Sequence, residues 1–110
     1  MAYRVEIARS AEAELEEIYH WVVARAPQPG AKWFNGLERA VFSLDQYAKR
    51  CAVAPESIDP ALPVRVLSYG RKPHVYHVFF TVEDTGRIVR VVHIRRGARK
   101  PPLSEDLKGD

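Results

Sequence analysis

The chain has 110 residues, 46% of them hydrophobic, and a formal net charge of +3, which fits one domain with an ordinary core and leaves no room for a second. Its one cysteine, Cys51, excludes an internal disulfide and fits a reducing cytoplasm. No apolar run reaches membrane-spanning length, and the alternating, charged stretch Tyr3–Ile7 does not read as a signal peptide, so a cytoplasmic protein with no membrane partner is expected.

Tyr3 to Ala8 predicts a short first strand. Ser10 is the expected N-cap of a first helix, with Glu12 and Glu14 in the turn where the helix dipole favours anions. Leu15, Ile18, Tyr19, Val22 and Ala26 then fall at helical spacing and make one apolar stripe. Pro27 and Pro29 end that helix. A second helix is expected from about Ala31 to Ala48, with Trp33, Leu37, Ala40, Val41, Leu44 and Ala48 on its apolar face. So short a connection between two long amphipathic helices predicts an antiparallel helical hairpin. Residues 50–63 carry three prolines and read as a loop.

Three strands follow: Val64–Tyr69, His74–Val82 and Arg87–Arg95. Gly70–Pro73 is the first turn. Glu83–Gly86 is the second, with Gly86 supplying the positive φ of a tight hairpin. Strict alternation along the last strand puts Ile88, Arg90, Val92 and Ile94 on one face and Val89, Val91, His93 and Arg95 on the other. The order β-α-α-β-β-β predicts an α+β domain over residues 1–100. Its antiparallel sheet of about four strands is covered on one face by the helical hairpin, the other face carries the polar members, and residues 101–110 form an irregular tail.

Charge is spread unevenly along this layout. Residues 1–61 hold seven Lys/Arg against nine Asp/Glu, whereas residues 62–101 hold nine against two. The last strand delivers His93, Arg95, Arg96, Arg99 and Lys100 to one end, a cluster that suits a polyanion or an acidic protein surface. Trp21 falls off the apolar stripe of the first helix and is the expected partner contact there. No metal or cofactor is expected. The four histidines lack zinc spacing with Cys51, and Glu12, Glu14, Glu16 and Glu17 read as a solvated helix start. The phosphate-binding glycine patterns and the nucleophile elbow are absent from the sequence.

Val5-Glu6-Ile7-Ala8 followed by Ala11-Glu12-Ala13-Glu14-Leu15, then Val64-Arg65-Val66-Leu67 before a Gly-Arg turn, then Val91-Val92-His93-Ile94-Arg95-Arg96-Gly97-Ala98-Arg99, resembles the RelE/ParE superfamily of type II toxin–antitoxin toxins. The resemblance implies a small toxin held silent in a hetero-oligomer by a cognate antitoxin with an acidic, helical C-terminal segment. It also implies one of two targets. One branch cleaves messenger RNA on the ribosome without a metal. On that reading His77 and His93 are candidate base and acid, and Arg65, Arg71 and Arg95 the cations. The other branch, similar to ParE, inhibits DNA gyrase by binding. The long helices, and the lack of any Tyr or Trp after Tyr76, sit closer to the ParE-like branch. On that reading the target-binding residues are Arg71, His93, Arg95, Arg96, Arg99 and Lys100, and the antitoxin contacts are Tyr19, Trp21, Trp33, Leu37 and Tyr76. A non-toxic binding module is a third reading of the same chain.

Overall fold

Helix propensity and proline placement set the first half of the fold. In a computed structural model, which describes residues 2–97, the elements are β1 (Arg4–Ile7), α1 (Arg9–Arg25), α2 (Pro27–Phe42), α3 (Leu44–Tyr47), a 3-10 turn at Ala48–Arg50, β2 (Val64–Tyr69), β3 (Tyr76–Glu83) and β4 (Ile88–Arg96). The expected tail 101–110, with Arg99 and Lys100, lies outside the described residues. Pro27 begins α2 rather than only ending α1, because the first turn of a helix has no use for the missing N–H. One residue, Ala26, therefore joins the two helices. Ser10 is not the N-cap either: α1 starts at Arg9 with Ala8 as its cap, which frees the Ser10 hydroxyl for another partner.

Gly30 makes the tight helical turn possible. A Cβ at this position would fall on the backbone carbonyl of Val22 in α1, so only glycine lets α2 approach so closely. Gly30→Ala is expected to cost about 1–3 kcal/mol, the usual penalty for forcing a packed backbone apart. Urea denaturation measures it, and an unchanged midpoint would show that the helices tolerate a wider turn.

α1 buries Ala11, Leu15 and Ile18, and α2 buries Phe34, Leu37 and Val41. These spacings of three and four residues line one face of each helix. They meet Val78, Phe80, Val89, Val91 and Ile94 of the sheet in one core. The sheet order is β1-β4-β3-β2. β2, β3 and β4 form the expected antiparallel meander, but β1 runs parallel to β4, so the sheet is mixed. A parallel neighbour requires a long crossover. Here the helical hairpin and everything after it separate β1 from β4, so no tight turn forces the two strands to oppose.

The strict alternation expected of β4 fails at one residue. Phe79 pairs with His93, but the next residue, Phe80, pairs with Val91. Val92 is left over as a β-bulge, and beyond it the faces swap. Ile94 therefore joins Val89 and Val91 in the helix-facing core, while Val92 packs with Phe79 and Ala54 in a second small cluster on the other face. That second face is not purely polar. The 51–63 segment lies along β2, with the Ala54 N–H donating to the Val64 carbonyl at 2.7 Å and the Val66 N–H to the Ala52 carbonyl at 3.0 Å.

At the β3–β4 turn the positive φ falls on Arg87, at 52°, rather than on Gly86. A left-handed residue with a Cβ costs about 1 kcal/mol over glycine, so Arg87→Gly is expected to raise the thermal midpoint; a lower one would mean that the arginine side chain contributes more than its backbone costs. Beside this turn the Asp84 carboxylate accepts from the Tyr3 hydroxyl and the Lys49 ammonium, both at 2.6 Å. Lys49 first, then Tyr3, hold the Asp84 carboxyl below its usual range. This latch is intact above the ordinary carboxylate range and is lost as pH falls through Asp84's lowered value. Among the described residues no helix is long and apolar enough to cross a membrane.

Candidate functional site

β1 ends opposite Val91, so among the described residues the outer edge of β4 from Val92 onward has no strand beside it. α1 supplies the missing partners. The Ser10 hydroxyl donates to the Val92 carbonyl at 2.7 Å, and Glu14 accepts from the Ile94 N–H at 2.9 Å. Ser10 and Glu14 are four apart, so one helix face meets the bare strand edge twice. The same Glu14 carboxylate lies 3.3 Å from His93 Nδ1 and 3.3 Å from Arg95 Nε. Glu14 therefore binds the strand end rather than serving as a solvated dipole residue.

The bulge decides where the expected basic cluster goes. His93 and Arg95 sit on the outer sheet face, opposite Phe79 and His77 of β3. Arg96 sits on the helix side with its partner Tyr76. The cluster is thus split between two faces. His93 is 9% exposed, and Arg95 is paired with Glu14, so neither is a free surface cation. Arg96 extends over the Trp21 ring, 5.8 Å from its centroid, and reaches His74 at 3.4 Å. Arg71 is exposed in the β2–β3 turn.

The nuclease candidates are divided between the two sheet faces. His77, His93 and Arg95 share the outer face, where the Ser68 hydroxyl and His77 Nδ1 are 2.9 Å apart. Arg65 is on the opposite face: it pairs with the core residue Phe80, and its guanidinium donates to the Cys51 carbonyl at 2.6 Å. Burial pushes the Cys51 thiol above its ordinary value, against a smaller opposing pull from Arg65, which leaves it a poor nucleophile.

The expected antitoxin residues divide as well. Leu37 is fully buried in the core, a correction that follows from the inner face of α2. Tyr19 is exposed on α1 and packs edge-on against Phe34. Trp21, Trp33 and Tyr76 line a groove of about 560 Å³ between the helical turn and the end of β4. Tyr76 is its floor, 6% exposed, stacked edge-on to Trp33 at 5.3 Å. Arg25, His74 and Arg96 form the rim. The Arg25 guanidinium lies 3.9 Å from the Trp21 centroid, a cation–π contact that its i, i+4 spacing made legible in the sequence. A second hollow of about 530 Å³ shares Trp33 and His74 with the first and adds Tyr69, Arg71 and Lys72. No carboxylate among the described residues lines either one, and none pairs with Arg25, Arg71, Lys72 or Arg96. Among the described residues the site is therefore an aromatic groove with a cationic rim that no carboxylate faces. Such a shape binds an acidic segment with apolar anchors.

A helical hairpin packed on a four-stranded mixed sheet, with an aromatic groove at one end, defines an α+β domain of small size. The family model described as "ParE toxin of type II toxin-antitoxin system, parDE" matches residues 5–101, and the chain belongs to that family. A solved chain from a chromosomal ParDE toxin–antitoxin system of P. aeruginosa is 30% identical, with a TM-score of 0.65, over 86% of this chain and 96% of that one. A mutant of the E. coli toxin RelE in the free state shares the fold at 13% identity and a TM-score of 0.57, over 86% of this chain and 83% of that one. So does a chain of the toxin–antitoxin complex RelBE2 from Mycobacterium tuberculosis, at 14% identity and 0.52, over 87% of this chain and 99% of that one. No curated protein sequence matches the chain significantly.

Proposed function

We propose that this chain is the toxin of a two-protein system, that a cognate antitoxin silences it, and that it acts by binding DNA gyrase rather than by cutting RNA. The observation that carries the choice of target is the ParE family match across residues 5–101. The separation of Arg65 from the other nuclease candidates supports the same side. In-line cleavage needs a base, an acid and cations around one phosphate, and Arg65 lies on the far side of the sheet from His77 and His93.

On this reading the target-binding cations are Arg71 and Arg96, with Arg99 and Lys100 continuing the same basic run in sequence. His93 and Arg95 stiffen the strand that presents Arg96, through Glu14. The antitoxin lays an acidic, amphipathic helix into the groove around Trp21 and Trp33, its apolar side chains in the hollow and its carboxylates on Arg25 and Arg96. Neutralisation then follows from overlap, because Arg96 belongs to both surfaces.

Two assays run side by side test the target. Purified chain should inhibit gyrase supercoiling, or trap cleaved DNA, and should leave ribosome-bound messenger RNA intact. Cleavage of that RNA with untouched supercoiling reverses the assignment and returns His77 and His93 to the active site. Inertness in both assays makes the chain a binding module without toxicity.

A further inference from the structure

The second hollow lies beside the groove around Trp21 and differs from it in chemistry. The first groove has aliphatic walls, Val22, Ala26 and Pro29, that suit an apolar anchor. The second has none: apart from Gly70, every residue lining it is aromatic or basic. Its basic residues are concentrated on one turn, where Arg71, Lys72 and His74 are all exposed. That turn is held in shape from within, by the His74 N–H donating to the Arg71 carbonyl at 2.7 Å. It is also pinned to α2. Gly70 sits at φ 97°, and a Cβ there would stand 3.6 Å from Trp33 Cζ2 and against the His74 carbonyl, so glycine lets the turn fold onto the indole. Trp33 is itself clamped. The Tyr69 ring meets it edge-on at 5.2 Å, the Tyr69 hydroxyl donates to the Trp33 carbonyl at 2.9 Å, and Tyr76 meets the indole edge-on at 5.3 Å. The hollow is thus a fixed aromatic wall faced by two cations and an imidazole, and no carboxylate among the described residues lines it. Its volume of about 530 Å³ lies in the range of small-ligand clefts.

We propose that this hollow takes one unstacked nucleotide of a single-stranded DNA, with the base against the Trp33 indole and the flanking phosphates on Arg71 and Lys72. Rings and cations without aliphatic side chains suit a base and a phosphate better than they suit a leucine. A base reaches such a wall only when it is out of its duplex. Stacking on an aromatic side chain, with lysine and arginine tracking the backbone, is how single strands are held. The choice of DNA rests on the gyrase reading above, because DNA is what gyrase holds; the fit to a single strand rests on the hollow alone. Trp33 and His74 border both hollows. A partner helix seated in the first groove therefore crowds a strand in the second, which links neutralisation to loss of the DNA contact.

Fluorescence anisotropy of a labelled oligothymidylate, titrated with the full-length chain over a series of salt concentrations, tests it. Binding is expected, and its log–log salt slope should shrink by about 0.7 for each of Arg71→Ala and Lys72→Ala. The double variant should bind about tenfold more weakly. Both side chains are exposed, so its thermal midpoint should match the parent's. Arg9→Ala with Arg39→Ala removes the same charge from exposed positions on α1 and α2, and should change the affinity by less than about twofold. Equal weakening by that control means diffuse attraction and overturns the proposal. An abasic strand with the same phosphates should bind about tenfold more weakly than oligothymidylate. Equal binding of the abasic strand, or of the duplex with oligoadenylate, overturns the stacked base. Tighter binding of oligouridylate overturns the choice of DNA. An acidic peptide whose binding is lost in the Arg71, Lys72 double variant, while oligothymidylate binding is kept, assigns the hollow to a protein and overturns the proposal. The supercoiling assay keeps this inference separate from the reading it rests on. Inhibition that persists in a double variant unable to bind the strand overturns the proposal and leaves the gyrase reading standing. Strand binding with the expected variant pattern, and no effect on supercoiling, upholds the hollow and removes gyrase as the target.

Discussion

Glu14→Ala should destabilise the protein by about 2–3 kcal/mol, more than any other single acid on α1. One carboxylate meets three demands at the end of β4. The Ile94 N–H donates to it at 2.9 Å, and His93 and Arg95 each lie 3.3 Å away. Alanine leaves a backbone donor without its acceptor on an edge that no strand among the described residues covers, and it removes the carboxylate beside Arg95. The Arg95 side chain is 35% exposed, so water recovers part of the second loss, and the expected figure sits below that of a fully buried pair. Glu14→Gln keeps an acceptor for Ile94 but not the charge, and roughly half of the loss should remain. Glu12, exposed two residues earlier on α1, is the control. Urea midpoints for Glu12→Ala, Glu14→Ala and Glu14→Gln decide the matter. If Glu14→Ala is no worse than Glu12→Ala, the strand edge is held by something other than this carboxylate.

Most of the architecture could be read from residue patterns. Stripes at three- and four-residue spacing identified both helices, and β-branched alternation identified the strands. The features that escaped the sequence reading all depend on a partner distant in the chain. Whether Val92 is paired or left over is decided by the register against Phe79 and Phe80, and nothing local to Ile88–Arg96 announces it. That one residue then reassigns every side chain after it, which is why Ile94 was expected with Val92 but packs with Val91. Pro27 was read as a stop because proline ends helices, yet it also opens them, and only the position of Ala26 tells which. Gly86 was the natural choice for the positive φ, but the hairpin places its left-handed residue one position later, at Arg87.

The same logic governs the candidate site. A run of arginines in sequence is not a patch in space, since adjacent strand residues point to opposite faces. Arg95 and Arg96 were expected to act together, and they serve different surfaces. Leu37 looked like a contact residue only because the stripe of α2 could not show which of its members the sheet would cover. Trp21 was legible for the opposite reason. It falls off the stripe, so it had to end at an edge, and the edge it reached is the groove. His74 was passed over because a lone histidine before a strand carries no signal until the fold brings it to within 6.1 Å of the Trp21 ring centroid.

Trp21→Ala should weaken antitoxin binding by at least about 2 kcal/mol, or roughly 30-fold in Kd, if the groove is the docking surface. The indole sits between Arg25 and Arg96, so it supplies the apolar contact and also positions the two cations that an acidic helix would pair with. A central aromatic ringed by charge is the arrangement in which truncation is most costly. Folding should be disturbed less than binding, because Trp21 is 36% exposed and lies outside the main core cluster. Phe42→Ala is the matched control. Phe42 is 50% exposed at the far end of α2, about 20 Å along the helix from Pro29 by its rise per residue, and its loss should leave the affinity within a factor of about two. Titration calorimetry with the cognate antitoxin, at two salt concentrations, separates the contributions. Trp21→Ala should lower affinity at both concentrations, whereas Arg25→Ala should lower it chiefly at low salt, where an exposed ion pair is least screened. Should Phe42→Ala prove the more damaging substitution, the partner docks at the other end of the helical hairpin, and the cationic groove belongs to a different ligand.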